Sequence, residues 1–248
     1  MRNTNHTVNE FGQPIGLPLT GWQPPPRPAR EPMMGRFCRV EPLVPDRHAE
    51  DLYAAYALDT DARGWTYLPY GPFGSIEDCR TWMDTTCLGD DPLFFAIVDN
   101  ATDKAVGAAA YLRIDPKNGV IEVGHLRYSS LLQRTAAATE AMWLMMKRAF
   151  DLGYRRYEWK CDALNAPSRA AAQRLGFTFE GLFRQAIVVR GRSRDTAWYS
   201  IVDKEWPAVD AAFQRWLDPE NFDGHGRQRT PLGIFMDAAR SPGSIAHR

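Results

Sequence analysis

The side chains with the clearest chemical potential in this chain lie in two short segments. The first, Ile121-Glu122-Val123-Gly124-His125, places a carboxylate and an imidazole three residues apart in a run typical of a strand. Both side-chain types serve as general acids and bases. The second, Asn165-Ala166-Pro167-Ser168, ends on a hydroxyl that can donate or accept a proton. These groups are candidates for moving protons in a reaction if the fold brings the two segments together.

A helix start between the two segments is suited to an anion. Residues 133–141, Gln-Arg-Thr-Ala-Ala-Ala-Thr-Glu-Ala, follow the first segment through a short loop. The first turn of a helix has N–H groups without intrahelical partners, and the positive end of its dipole attracts negative charge. A strand, loop and helix in this order therefore suit a diphosphate. The same residues also fit an ordinary alanine-rich helix start, and the pattern alone leaves both interpretations open.

Hydrophobic periodicity predicts the elements that position these residues. A strand at 120–126 leads into the strongest helical pattern of the chain, at 135–151, where apolar residues recur at i, i+3, i+4 and i+7. Alternation then predicts a strand at 155–162, and Asn165 can cap a helix that ends at Gly176. The other predicted elements are strands at 38–43, 93–98, 105–114, 177–185 and 197–202 and helices at 46–57, 75–86 and 206–217. This order indicates an α+β fold, or mixed α/β layers, around one sheet.

The chain divides into an arm, a domain and a tail. Residues 1–36 are rich in proline and predict an extended arm without helix or sheet strand. Apolar residues such as Phe11 and Trp22 indicate that part of this arm packs on the domain. The domain covers residues 37–217. Residues 218–248 are polar and rich in glycine and are predicted to be a tail or a loosely packed extension.

Composition argues against several classes of function. Lys+Arg and Asp+Glu are 30 each, and this balance disfavours a nucleic-acid or membrane-surface binder. No apolar run is long enough for a membrane span, and the first residues lack the apolar core of a signal peptide, so the cytoplasm is the expected compartment. The four cysteines form no CxxC pair and the five histidines are scattered. They predict buried, reduced thiols and neither a metal site nor a disulfide framework.

The two segments together resemble the GNAT superfamily of acyl-CoA-dependent N-acetyltransferases. Residues 121–141 look like the cofactor motif of the family, and 165–177, Asn-Ala-Pro-Ser-Arg-Ala-Ala-Ala-Gln-Arg-Leu-Gly-Phe, resemble its second motif. With Glu180-Gly181 and the run at 195–201, the combination is most similar to the Rim-type, ribosomal-protein-acetylating branch, over about residues 37–217. The resemblance implies acetyl-CoA as cofactor. It also implies a mostly antiparallel sheet that splays between its fourth and fifth strands, with helices on both faces.

The resemblance also implies roles for single residues. Glu122 becomes the first candidate for general base, directly or through water, His125 its rival, and Ser168 the proton donor to the departing thiolate. The implied cofactor-binding residues are Leu126, Gln133, Arg134, Thr135, Ala136, Ala137, Ala138, Thr139 and Asn165. Alanines at 136 and 138 stand where glycines are common in the family, and their methyl groups are expected to shift the phosphates or weaken their binding. From the residues alone, Glu122 also fits a solvated strand carboxylate and Asn165 an ordinary helix cap.

The acceptor implied by the resemblance is a primary amine, either of a small molecule or of a peptide. The aromatic loop at 65–73 falls where the family lines its acceptor groove, so an apolar or aromatic amine would bind against Trp65, Tyr67, Tyr70 and Phe73. Alternatively, this loop packs on the domain, leaves some of its rings exposed and binds no acceptor. The basic hairpin at 190–194 either is solvated or attracts an acidic acceptor. The protein is expected to act as a monomer or a homodimer, and the alternative function is an acyl-CoA-binding regulator without activity.

Overall fold

One eight-stranded sheet dominates the computed structural model, which describes residues 6–240. The strands are β1 His6–Val8, β2 Pro14–Gly16, β3 Met33–Met34, β4 Cys38–Pro42, β5 Leu93–Asp99, β6 Lys104–Asp115, β7 Val120–Tyr128, β8 Arg156–Asp162, β9 Thr178–Val189 and β10 Arg192–Val202. The helices are α1 Pro45–Ala57, α2 Ile76–Trp82, α3 Ala136–Asp151, α4 Ala166–Arg174, α5 Trp206–Leu217 and α6 Leu232–Arg240. Strands β1 and β2 form a separate hairpin, and the sheet has the order β3-β4-β5-β6-β7-β8-β10-β9.

The sheet is antiparallel everywhere except between β7 and β8, which run parallel. Their pairing extends only from Val120 opposite Arg156 to Val123 opposite Trp159. Strand β7 continues to Tyr128 without a partner on this side, so the two strands separate. The predicted α+β class, with a mostly antiparallel sheet that splays at its centre, is confirmed.

Two apolar layers cover the two faces of the sheet. Helices α3 and α5 contribute Met145 and Phe213 to the first layer, and α1 and α2 contribute Leu52 and Trp82 to the second. Because side chains alternate along a strand, Ile121 and Val123 of β7 lie in the first layer. The intervening Glu122 therefore faces the side of α1 and α2.

Polar caps begin three helices where the sequence predicts them. The side chains of Ser75, Thr135 and Asn165 each accept a hydrogen bond from the backbone N–H three residues further on. Each cap satisfies one of the amides that a helix start leaves without a partner. The predicted bounds therefore agree with the observed helices to within a few residues. The second helix is the exception, because a π-helical turn, Met83–Cys87, follows Trp82.

The N-terminal arm packs on the domain in part, as predicted, but it is not free of strands. Trp22 Nε1 donates to the Gly153 carbonyl at 3.4 Å, and Arg27 Nη1 donates to the Ile114 carbonyl at 3.4 Å. Strand β3 pairs with β4, and β1 pairs with β2 around a turn in which Asn9 Oδ1 accepts two backbone N–H groups. These strands have only two or three residues, too few for a period-2 pattern to stand out among the prolines.

The segment after residue 217 is more ordered than the predicted tail. Helix α6 buries Leu232 and Met236 against the core, and Asn221 Nδ2 donates to the Trp216 carbonyl at 2.9 Å. Nine residues give little more than two helical turns, and the glycines before them suggested a loop. Residues 241–248 of the predicted tail lie outside the described residues, as do 1–5 of the arm.

Two expectations from composition concern cysteines and membranes. The four cysteines, Cys38, Cys79, Cys87 and Cys161, are all buried and free, as predicted. Burial raises the pKa of Cys79 to about 11, so this thiol stays protonated at neutral pH. Within residues 6–240, no helix combines the length and the apolar character needed to cross a membrane.

The Glu140 carboxylate of α3 holds the chain just before β4. It accepts the backbone N–H groups of residues 36, 37 and 38 at 2.7, 2.6 and 2.9 Å. Because each buried donor left without a partner costs ~1–3 kcal/mol, we expect Glu140→Ala to lower the free energy of unfolding by about 3 kcal/mol in urea denaturation. The control is Asp151→Ala on the same helix, since Asp151 is exposed and, within residues 6–240, its side chain pairs with Lys147 alone. That change should cost less than about 0.5 kcal/mol, and equal losses would contradict the assigned role of Glu140.

Candidate active site

The gap between β7 and β8 brings the two chemically interesting segments together. Glu122 and His125 lie on β7, whose far end leads into the loop before α3. Ser168 and Asn165 lie at the start of α4, directly after β8. The parallel strands therefore deliver both segments to the same end of the sheet, where their pairing has stopped.

His125 lies in a β-bulge beside this gap. Between the pairs Ala110–Gly124 and Ala108–Arg127, three steps along β7 oppose two along β6. His125 has a φ of 52°, in the left-handed region that costs a residue with a Cβ about 1 kcal/mol. Bulges of this kind redirect a side chain and interrupt pairing. Here the bulge turns the imidazole towards the α1–α2 side of the sheet, where its ring packs against aromatic side chains.

The imidazole of His125 is in a form suited to accepting a proton. Its ring stacks on Tyr70 with a centroid distance of 5.6 Å and lies 5.0 Å from the Phe94 ring. Nδ1 is buried and has no hydrogen-bond partner in the described part of the chain. Burial, with a contribution from the Arg113 charge, lowers the pKa of His125. At neutral pH the ring is therefore neutral and able to act as a base.

Glu122 is buried in an ion cluster, which excludes the alternative of a solvated strand carboxylate. Arg113 Nη1 donates to both carboxylate oxygens at 2.7 Å, and Lys160 Nζ lies 2.9 Å from Oε2. The parallel register places Glu122 beside Glu158, and Lys160 Nζ is also 2.6 Å from the Glu158 carboxylate. The two cations compensate for the water that the carboxylate has lost. Both oxygens of Glu122 already accept hydrogen bonds.

The Ser168 hydroxyl is half-buried and has a defined hydrogen bond. Trp159 Nε1 of β8 donates to Ser168 Oγ at 3.0 Å. Because an indole N–H can only donate, the Ser168 O–H proton has to find another acceptor. The Cys161 sulfur of β8 is one such acceptor beside it. The neighbouring Asn165 Oδ1 accepts the Ser168 N–H at 3.1 Å, so Asn165 is a helix cap. These two bonds hold the Ser168 hydroxyl at the start of α4, beside β8.

The start of α3 presents a row of free amides. Among the described residues, the N–H groups of Arg134, Ala136 and Ala137 donate no hydrogen bond, while that of Ala138 is taken by Thr135 Oγ1 at 3.2 Å. Unpartnered amides at a helix N-terminus are the donors that bind phosphate oxygens. The methyl groups of Ala136 and Ala138 do not compete for this space, because both pack against the core. The effect of these methyl groups on the binding of phosphates stays a prediction.

The other residues predicted to bind the cofactor have different surroundings. Gln133 is exposed and its Nε2 donates to the Tyr128 carbonyl at 2.8 Å. Leu126 is half-buried and lies just after the bulge, in the part of β7 that does not pair with β8. Thr139 is buried, and its hydroxyl accepts from Arg174 at 3.3 Å, so it joins α3 to α4. Thr139 is thus the one least accessible to a ligand.

The aromatic loop predicted to bind the acceptor is largely a packed cluster. Trp65 is 3% exposed, contacts Tyr70 and Phe73 edge-on, and has the Arg127 guanidinium 4.3 Å from its ring centroid. Such contacts fix the rings. Tyr67 differs, since its side chain reaches outward at the surface. Packing therefore explains Trp65, whereas Tyr70 stacks on His125 and Tyr67 is exposed. Binding of an acceptor by this loop stays a prediction.

Sequence reasoning missed the partners of the predicted residues. Arg113 and Lys160 hold Glu122, and Trp159 holds Ser168. The alternation at 155–162 does place Glu158 and Lys160 on one face of a strand. That these charges lie beside Glu122 depends on the register of two parallel strands 36 positions apart, which a single sequence does not reveal.

The lowered histidine pKa values predict a loss of stability in mild acid. Burial is the main cause for both His48 and His125. An unfolded histidine takes up a proton near pH 6.5, whereas the folded protein keeps both rings neutral to lower pH. The unfolded state then binds more protons, so stability falls as pH drops below about 6.5 and is insensitive to these groups above it.

We therefore expect the Tm to fall between pH 7.5 and pH 5.5. In His125→Phe the fall should be smaller, because one of the two groups is gone. Calorimetry at a series of pH values measures both slopes. An equal fall in the wild type and the variant would contradict the role of His125.

Comparison with known proteins agrees with this geometry. The family model described as an acetyltransferase (GNAT) domain matches residues 39–178. The structure of a GCN5-related N-acetyltransferase from Brucella melitensis is 49% identical, with a TM-score of 0.86, and covers 88% of this chain and 100% of that one. The uncharacterized N-acetyltransferase p20 of Bacillus licheniformis is 29% identical over 144 residues, 56% of this chain and 80% of that protein.

A more distant likeness concerns the Rim-type branch. A structure from Vibrio cholerae, provisionally named a ribosomal-protein-serine acetyltransferase, is 20% identical, with a TM-score of 0.60. It covers 69% of this chain and 97% of that chain. At this identity the likeness concerns the fold and not the acceptor. The fold that the Rim-type resemblance implied is thus found among solved structures.

Proposed function

The chain belongs to the GNAT family of acetyltransferases, enzymes that use acetyl-CoA, and from this premise we infer that it acetylates a primary amine by direct attack on the thioester. The observation that carries the proposal is the gap between β7 and β8. A neutral imidazole, a serine hydroxyl and a row of free amides all lie on elements that meet at this end of the sheet. These are the groups that such a transfer requires.

The residues present fit acetyl-CoA. The free amides of Arg134, Ala136 and Ala137 are placed to hold its diphosphate, and the unpaired stretch of β7 around Leu126 offers backbone groups to its amide-containing arm. Acetyl-CoA supplies the activated acetyl group. The amides come from a single loop and helix start, so they are positioned before the ligand binds.

Two proton movements accompany the transfer. A free alkyl ammonium has a pKa of about 10, so the acceptor must lose a proton before it can attack. His125 is the residue that we assign to accept it, because its half-buried ring lies beside the gap and is neutral. As the C–S bond breaks, Ser168 passes its proton to the departing thiolate and takes up the proton that the attacked nitrogen releases, so its hydroxyl is restored. It keeps the hydrogen bond from Trp159 throughout.

In this proposal Glu122 is a structural residue of the site, whereas the sequence predicts it as the general base. Its two oxygens are engaged by Arg113 and Lys160, so it fixes the charges beneath the gap. A role as base through a water molecule stays a prediction, and comparison of variants at 122 and 125 distinguishes the two assignments. The homodimer, the cytoplasmic location and the identity of the amine also stay predictions.

Release of free thiol from acetyl-CoA over a panel of amines tests the proposal. We expect release with at least one class of amine and little without an acceptor. Mass spectrometry of the product, with labelled acetyl-CoA, then identifies what is acetylated in a cell extract. Binding of acetyl-CoA without thiol release on any amine would overturn the proposal and favour the regulatory alternative.

A further inference from the structure

The β9–β10 hairpin extends beyond the strand beside it. Pairing between β10 and β8 ends at Thr196 opposite Asp162, whereas pairing between β9 and β10 continues to Val189 opposite Arg192. About half of the hairpin therefore projects past the end of β8. Its turn has φ values of 49° at Arg190 and 72° at Gly191, as in a type I′ turn, whose twist matches that of the flanking strands.

The tip of this hairpin is attached to the aromatic loop between α1 and α2. Arg190 Nη2 donates to the carbonyl oxygens of Tyr70 at 3.3 Å and Gly71 at 3.0 Å. A guanidinium that bonds two successive carbonyls fixes direction as well as distance. The side chain of Arg192, two residues further on, makes no hydrogen bond or ion pair in the described part of the chain. The contact with the aromatic loop is therefore particular to Arg190.

A second contact reaches the same loop from the end of β8. The Tyr67 hydroxyl donates to the carbonyl oxygen of Leu164 at 3.1 Å. Leu164 lies between β8 and α4, and its side chain is exposed. The aromatic loop at 65–73 is thus connected both to the hairpin and to the segment that carries Asn165 and Ser168.

The contacts of Arg190 and Tyr67 lie on the α1–α2 side of the sheet, from which an acceptor would reach the gap between β7 and β8. The opposite face of the sheet is covered by α3 and its apolar layer. On the open side, Tyr70 stacks on His125, so the loop that carries Tyr70 is one edge of the approach. The hairpin and the β8–α4 segment are the other edge. The contacts of Arg190 and Tyr67 join the two edges at two points.

We propose that Arg190 and Tyr67 close the acceptor opening, so that the acceptor is a small-molecule amine and not the N-terminus or a lysine of a polypeptide. The proposal rests on the proposed function and adds the class of acceptor to it. An extended peptide would have to lie across the groove and displace both contacts. A small amine has no flanking chain that must cross these contacts, so it needs to displace neither.

The experiment compares kcat/KM for small primary amines with kcat/KM for peptides that present the same amine at an N-terminus or a lysine. We expect the wild type to prefer the small amine at least tenfold. In Arg190→Ala and Tyr67→Phe the preference should shrink by about three- to tenfold, because the peptide rate rises. Arg192→Ala removes the same charge from the same hairpin and should keep the wild-type ratio. Equal use of peptides by the wild type, or equal ratios in Arg190→Ala and Arg192→Ala, would overturn the proposal.

Hydrogen exchange of the amides at 66–71 tests the closure without turnover. Exchange should be several-fold faster in Arg190→Ala than in the wild type and unchanged in Arg192→Ala. Faster exchange in a protein that acetylates no amine would refute the proposed function while supporting the closure. Equal exchange in all three proteins would refute the closure even if small amines are acetylated.

Discussion

Ser168→Ala should lower kcat about 100-fold and leave the KM for acetyl-CoA within about twofold of the wild type. The expected loss follows from the hydrogen bonds at this residue. Trp159 Nε1 donates to Ser168 Oγ, so the O–H proton is not used in that bond and can be donated to another acceptor. A departing thiolate is that acceptor in the proposed reaction, and it appears only as the thioester breaks. Steady-state kinetics with varied acetyl-CoA separates this effect from one on binding.

The leaving group offers a sharper version of the same test. An acetyl thioester whose thiol has a low pKa needs no proton to depart, so the defect of Ser168→Ala should shrink with such a donor. Ser193→Ala, the same change at an exposed position of β10 next to the hairpin turn, is the matched control and should behave as the wild type. An equal defect with both donors would remove Ser168 from proton transfer and leave it a role in packing.

His125→Phe is expected to lower kcat/KM for the amine about 100-fold. Phenylalanine keeps a ring against Tyr70 and Phe94 but has no nitrogen to take the proton. The cofactor contacts lie on the loop before α3 and should be unaffected. Measurement across pH adds a second readout, because the variant should lose the dependence on an ionisation below the usual histidine range.

Glu122→Gln is the comparison that decides which residue is the base. Glutamine keeps an oxygen for Arg113 or Lys160 but loses the charge that both cations face. If His125 accepts the proton, this variant should lose less than tenfold in kcat/KM. A loss larger than that of His125→Phe would assign the proton transfer to Glu122, as the sequence first suggests.

Most of the fold follows from local patterns in the chain. The helical spacing at 135–151 and the caps at Ser75, Thr135 and Asn165 predict helix starts, because a cap is a contact between residues three apart. The hairpin of β5 and β6 likewise joins neighbours in sequence. The strands of the arm and helix α6 were missed because they are short and depend on contacts with distant residues, such as β3 with β4.

The sequence selects the residues of the candidate site but does not reveal their surroundings. Motif resemblance singles out Glu122, His125 and Ser168. It does not show that Arg113 and Lys160 enclose Glu122 or that a left-handed bulge residue presents the imidazole. Those features depend on strand register and on packing between residues far apart in sequence. For the same reason, the contact of Arg190 with the aromatic loop could not be derived from a basic hairpin.

The short ladder between β7 and β8 has a thermodynamic consequence. Strands β3 to β7 form one half of the sheet, and β8, β10 and β9 form the other. Within the sheet, the two halves are joined by the four residue pairs between β7 and β8. A ligand that occupies the gap and bonds both strands adds to the cohesion between these two halves of the sheet. Its binding free energy then appears as resistance to unfolding, which grows with ligand concentration as RT ln(1 + [L]/Kd). The melting temperature of this protein therefore rises as ligand occupies a larger fraction of the gaps.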